Sequence, residues 1–294
     1  MKRLRHRSLI ALCALLTLGT IQSEASSLIV SQDAGPIQTI QAAINAAADH
    51  DSVFIQAGHY FENLIITKPL SLIGIGEVIL ETGDSASPAI MVTDVDGIVI
   101  RNISIIGAED GILVTNSSGI VSGCTILDCD TGIRISSDEN HTVTVSDVIV
   151  EAAGSGIGLS IGGAGETIVL SCALSGLGTG ITIGGTARVL VVDSVVEKCF
   201  YGFSILSTAD IRLVNNDIRH NSTGILVTEP PFEWTQGSLT LLANRINGNS
   251  SWGVSLCASD GSEMDVEAFS LLAADNVLMG NVRGATCPED LVID

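Results

Sequence analysis

Short runs in which apolar residues alternate with small or polar ones fill the chain from Val53 onward, and many open on glycine. Gly111-Ile112-Leu113-Val114 is followed by Gly132-Ile133-Arg134-Ile135, Gly156-Ile157-Gly158-Leu159 and Gly180-Ile181-Thr182-Ile183. Gly202-Phe203-Ser204-Ile205, Gly224-Ile225-Leu226-Val227 and Gly253-Val254-Ser255-Leu256 complete the series, at spacings of 21 to 29 residues. Alternation with a period of two marks a strand with one buried face. Its return at a near-constant interval, with no helix between, marks a solenoid.

Each repeat holds a second strand, as in Ile98-Val99-Ile100, Val143-Thr144-Val145, Val189-Leu190-Val191 and Leu239-Thr240-Leu241. A turn position follows at Asn102, Cys124, Asp147, Cys172, Ser194, Asn216, Asn244 and Asn276, and then a short third strand, as in Asp217-Ile218. Three strands and three turns in about 22 residues predict a triangular coil. Such a coil turns Ile and Val inward and bonds to its neighbour at ~4.8 Å. Asn216, Asn244 and Asn276 are placed to form a side-chain ladder at one bend.

Upstream, Ile37, Ile40, Ile44 and Ala47 recur at helical spacing, predicting a short amphipathic helix over 37–48 that covers the first coil. Residues 1–25 read as a secretory leader. Lys2, Arg3, Arg5 and Arg7 precede an apolar run too short to span a bilayer, and Ser23-Glu24-Ala25 offers a cleavage site near Ala25. The expected organisation is a leader (1–25) and one solenoid domain (26–294), capped by 26–50 and 258–294. A secreted or periplasmic location follows, without a membrane span in the mature chain. Insertions at 228–237 and 258–267 enlarge two coils, and such insertions project as loops.

Ile40-Gln41-Ala42-Ala43-Ile44, Asp51-Ser52-Val53, Gly58-His59-Tyr60-Phe61-Glu62-Asn63 and Leu70-Ser71-Leu72-Ile73-Gly74 resemble the N-terminal block of right-handed parallel β-helix proteins. That group is the pectin-lyase-like superfamily, with pectin methylesterases and periplasmic NosD-type proteins among its members. The later Gly-Ile-x-Val coils resemble its generic repeat. The resemblance implies an all-β, single-stranded right-handed parallel β-helix of about nine or ten coils and three sheets, with a short N-terminal cap helix.

Removing the leader would leave 9 basic and 32 acidic side chains, a formal charge of −23 against −20 for the whole chain. Such a surface repels phosphate backbones, which excludes nucleic acid as a partner. It also opposes a polyanionic glycan unless calcium bridges the charges. Six cysteines remain: Cys124, Cys129, Cys172, Cys199, Cys257 and Cys287. Cys257 and Cys287 are the disulfide candidates, joining the last coil to the C-terminal cap. Cys124 and Cys172, two coils and about 9.6 Å apart, are too far to bond and read as small buried residues.

The motifs of the superfamily's enzymes are missing. Neither aspartate context of pectin methylesterases occurs, there is no Asp-Asp pair of the polygalacturonase kind, and the alginate epimerase motif is absent. The outward position of the glycine strand is expected to run Met91, Leu113, Arg134, Gly158, Thr182, Ser204, Leu226, Ser255, without a carboxylate pair. A second column is expected as Asp128, Glu151, Gly176, Lys198, His220, Gly248. Asp128 and Glu151 there would share a proton or a calcium ion, with Asp130 nearby, and these three are the candidate catalytic acids. No other cofactor is expected, and the scattered His50, His59, His141 and His220 offer no copper cluster of the kind a NosD-like accessory role implies. Tyr201, Phe232, Trp234 and Trp252 are candidate stacking residues for a polysaccharide or cell-surface glycan. A non-catalytic or uncharacterised exported monomer, with its 228–253 end as the candidate carbohydrate-binding region, is the leading expectation, a polysaccharide-active enzyme (lyase, hydrolase or esterase) the alternative, and the NosD-like role a third. Asn116-Ser117-Ser118 and Asn221-Ser222-Thr223 are glycan acceptor sequences for a eukaryotic secretory route.

Overall fold

A computed structural model describes residues 26–33, 35–207, 210–228, 237–256, 269–288 and 293. The described residues form one parallel β-solenoid with a single helix, Ile40–Ala46. No helix among them is long and apolar enough to cross a membrane.

Sheet 1 is a stack of ten glycine strands, from Leu64–Ile66 to Gly284–Cys287. The other nineteen strands form two stacks, sheets 2 and 3. These are continuous only at the N-terminal end, where the long strand Ser71–Glu81 pairs with both Asp96–Arg101 and Ser104–Ile106. Three faces per coil are therefore present, two of them fused at the first coils. The described part of 258–294 adds a further coil, with Phe269–Ala274, Val277–Met279 and Gly284–Cys287 each stacked on the strand before.

Parallel registry aligns like with like. Ile112, Ile133, Leu159, Ile181, Phe203, Ile225 and Val254 form one inward column of sheet 1, and all are fully buried. The registry corrects the sequence at one coil. Leu159 and Ile161 pair with Ile133 and Ile135, so this glycine strand begins at Gly158 and not at Gly156. The turn before it is two residues longer, and Gly154 and Gly156 take up the excess with φ of 82° and 85°. The strand glycine itself is required by close approach. A Cβ on Gly132 would meet the Gly158 carbonyl oxygen at 2.6 Å, and one on Gly158 the Gly180 oxygen at 2.5 Å.

The bend between sheets 2 and 3 needs a second correction. The left-handed residues there are Asn102, Gly123, Asp147, Ser171, Asp193, Asn215, Ala243 and Asp275, with φ of 53° to 62°. The next residue turns inward, giving Cys124, Cys172, Ser194, Asn216 and Asn244 as buried groups. Asn102 and Asp147 thus belong to the left-handed column and not to the ladder column. Asn and Asp tolerate this conformation better than other non-glycine residues, which is why both columns look alike in sequence.

The helix covers the first coil as expected, burying Ile40, Ala43 and Ile44. Thr39 caps it, and the Glu62 carboxylate accepts the Ile40 and Gln41 N–H groups at 2.8 and 3.0 Å. Behind it, Asp51 accepts the Ser26 N–H at 2.7 Å and the Ala48 N–H at 2.8 Å.

Candidate functional site

The outer face of sheet 1 sets residues of neighbouring coils in register. Its central column reads Met91, Leu113, Arg134, Ser160, Thr182, Ser204, Leu226, Ser255, so Ser160 replaces the expected Gly158. The face carries one guanidinium followed by three hydroxyls on successive coils. Gly162 and Gly184 lie one outward position further along and leave the surface beside those hydroxyls open.

Arg134 is fixed in place. Its Nε lies 3.0 Å from both oxygens of Asp110, Nη2 lies 2.9 Å from Oδ1, and Nη2 also donates to Thr131 Oγ1 at 2.9 Å. Asp110 and Thr131 are buried, whereas 41% of the Arg134 side chain remains exposed. Two-pronged contact of this kind orients the planar guanidinium and leaves its remaining donors for an outside group. The hydrogen bonds to Asp110, with the charges of Asp110 and Glu109, push the Arg134 pKa above its ordinary value. Arg134 is thus a permanent cation and cannot serve as a base.

Tyr201 borders the hydroxyl row, half-buried and in edge contact with Phe200 (centroids 4.6 Å apart, 77° between planes). Phe200 is 58% exposed. Trp252 stands in the Tyr201 column two coils further on, but its indole lies over Gly284 of the last coil, where a Cβ would meet Cζ3 at 2.6 Å. Its first role is to cover that coil. Phe232 and Trp234 lie outside the described residues.

The acidic candidates are placed differently from expectation. Glu151 pairs in register with Leu127 and Ser175, whereas Asp128 sits in the next turn at φ 51°. They are therefore not members of one column: Thr125 pairs with Ile149, so Val148 and not Asp147 is level with Cys124, and Ala152 is level with Asp128. Both still line a shallow depression of about 310 Å³ that Lys198 closes on the far side. Glu151 accepts a hydrogen bond from Ser175 Oγ at 3.4 Å. Asp130 lies on the opposite side of buried Cys129, and its carbonyl accepts the Ile157 N–H at 2.9 Å. Among the described residues no group of three or more His, Cys, Asp or Glu side chains gathers to hold a metal. Lys198 is drawn to Glu197 (2.8 Å), which also binds Arg219 (2.8 Å), so Lys198 and His220 do not act as a pair.

The asparagine ladder is present, and a second one escaped the sequence reading. Asn216 accepts from Ser194 N–H, Asn244 from Asn216 N–H and Asn276 from Asn244 N–H, at 2.9 to 3.0 Å. At the next bend Asn221, Asn249 and Asn281 repeat the arrangement. The signal was the recurrence of Asn221, Asn249 and Asn281 five residues after the first series. Asn221 is buried and committed at both ends of its amide, which rules it out as a glycan acceptor in the folded chain, while Asn116 is exposed. Cys124, Cys129, Cys172 and Cys199 are free and buried, and burial pushes the Cys124 and Cys172 thiols up to about 11. Cys287 is disulfide-bonded, and Cys257 lies outside the described residues.

The model of the right-handed β-helix region matches residues 46–168 and 110–271. The chain belongs to this family. Pectate lyase Pel9A shares its fold at 12% identity and a TM-score of 0.64, over 86% of this chain and 80% of that enzyme. An alginate lyase from Paenibacillus sp. strain FPU-7 does so at 14% and 0.60, over 86% and 99%. The pectin methylesterase from carrot follows at 13% and 0.52, over 84% and 88%. At these identities the likeness is one of fold. No curated protein matches the sequence.

Proposed function

We propose that this β-helix is an exported, non-catalytic carbohydrate-binding protein whose ligand lies along the outer face of sheet 1. The observation that carries the reading is the Arg134–Asp110–Thr131 arrangement. The one carboxylate at the centre of the face is buried and consumed by the arginine, and the arginine is locked in its charged form. Glycoside hydrolysis by paired carboxylates needs two such groups facing the same bond, and the described strand residues of this face supply none that is free. It supplies instead an oriented cation, the hydroxyls of Ser160, Thr182 and Ser204 at about 4.8 Å intervals, and Tyr201 as an apolar edge. Those groups suit an extended chain of hydroxyl-rich rings running along the solenoid axis, with one acidic or acylated substituent at Arg134. The acidic remainder of the molecule favours glycans of low charge.

The depression at Asp128 and Glu151 supports the second reading, an enzyme acting on polysaccharide. A glycan array with and without calcium, with mass spectrometry of each bound glycan, separates the two. Binding without products is expected, weakened about tenfold or more by Arg134→Gln, as for a lost charge-assisted hydrogen bond, and also by Tyr201→Ala. Cleaved or de-esterified products that disappear in Asp128→Ala would replace this reading with the enzymatic one.

A further inference from the structure

The outer face of sheet 2 is unusual for an acidic solenoid. Its two central outward columns hold Ile168, Leu170, Leu190 and Val192 side by side on adjacent coils, with Val214 and Leu242 continuing the second. These side chains are half-buried by one another, and Leu272 at the far end is 59% exposed. Along the leading edge the charges alternate from coil to coil: Glu166, then Arg188, then Asp210, with Arg212 beside Asp210 at 3.3 Å. They ring a depression of about 240 Å³ floored by Val189 and Leu190. Among the described residues neither Glu166 nor Arg188 takes part in an ion pair within the chain.

We infer that this face joins two copies of the chain. The argument is self-complementarity. The stack runs over eleven strands, from Ser27–Val30 to Phe269–Ala274, and eight of them, Asp96–Arg101 through Phe269–Ala274, form the overlap considered. A two-fold axis running along the strands, between Glu166–Leu170 and Arg188–Val192, bisects the eight. It sets Glu166 of each copy opposite Arg188 of the other, Ile168 opposite Leu190, and Leu170 opposite Val192. Further out, Val99 meets Leu272, and Thr144 and Thr142 meet Arg212 and Asp210. No like charges face one another.

Charge also selects the occupant. The whole chain carries −20, so most of its surface repels a second copy. The outward columns of this face hold Asp96, Glu166 and Asp210 against Arg101, Arg188 and Arg212, which balances to zero. Eight strands at about 4.8 Å, each about 16 Å long, span on the order of 600 Å² in projection. Side-chain relief raises this toward the ~800 Å² per partner of a stable interface. A dimer departs from the monomer expected from sequence, which had no way to bring Glu166 and Arg188 together.

Sedimentation equilibrium of the described domain within the full chain, up to about 0.1 mM, is the test. The wild type is expected at twice the chain mass. Glu166→Arg and Arg188→Glu should each weaken association at least tenfold by opposing like charges, and Leu190→Asp should abolish it. The double exchange Glu166→Arg with Arg188→Glu should restore the dimer, an outcome that a misfolded variant cannot give. A monomeric wild type would overturn the inference, whether the face is bare or belongs to another partner. So would a dimer indifferent to all three single variants, or a double exchange that stays monomeric.

Discussion

At the scale of single residues, the two asparagine ladders solve a problem set by the bends. Where the chain leaves one sheet for the next, the inward residue's N–H points along the axis with no strand above it to accept. Asn244 answers with one side chain, accepting from Asn216 N–H and donating to Leu213 O at 2.7 Å and to Asn276 Oδ1 at 3.1 Å. Among the described residues no buried side-chain N or O lacks a partner. Asn244→Ala would orphan the Asn216 N–H, at about 1–3 kcal/mol, and take one donor each from Leu213 O and Asn276 Oδ1. Denaturant unfolding should therefore show a loss of about 2–4 kcal/mol, while Thr125→Ala on the outer face of sheet 3 should stay within about 0.5 kcal/mol. An unchanged midpoint for Asn244→Ala would mean that the ladder contributes nothing. In earlier coils the same position is held by Cys124 and Cys172, whose Sγ atoms contact the carbonyls of Ser122 at 3.6 Å and Leu170 at 3.4 Å. Sulfur is a weak donor, so these coils carry a looser version of the same device.

At the scale of the elements, the amino-terminal cap is tied down by one carboxylate. Asp51 holds the first strand through Ser26 and the end of the helix through Ala48. The Ser26 backbone hydrogen bond, then that of Ala48, keep its pKa below the ordinary carboxylate range. A lowered pKa stabilises the fold above the unfolded value of about 3.9 and stops doing so as pH falls through the folded value. Asp51→Asn should lower the melting temperature at neutral pH, and the gap from wild type should close as pH drops below about 4. A gap of equal size at both extremes would assign the effect to packing. The strands, the period and this helix were legible in the sequence because period-two and helical alternation report burial directly. Registry was less so. Gly156 and Gly158 both precede alternating residues, and the pairing of Leu159 with Ile133 and Ile181 decides between them. A separate one-residue slip hid the separation of Asp128 from Glu151, because Asp147 holds the left-handed position and Val148 the inward one. The Arg134–Asp110 pair was hidden because its partners come from neighbouring strands, 24 residues apart.

At the scale of the whole molecule, the proposed ligand face and the proposed pairing face lie on different sheets, so two copies joined through sheet 2 would keep both sheet 1 surfaces free. A glycan bridging them gains from effective concentration without any new contact. Coil-by-coil registry has a further consequence. Each strand bonds only to the coil before and the coil after, so the molecule behaves as a one-dimensional stack whose opening starts at its ends. Amide hydrogen exchange should rise in steps from the coils around Asn216 and Asn221 toward the first and last coils. A single rate throughout would mean that the stack opens all at once. A glycan held by Arg134, Ser160, Thr182 and Ser204 would span four steps of that staircase. It would then work as a splint, slowing exchange in coils it never touches on their far sides.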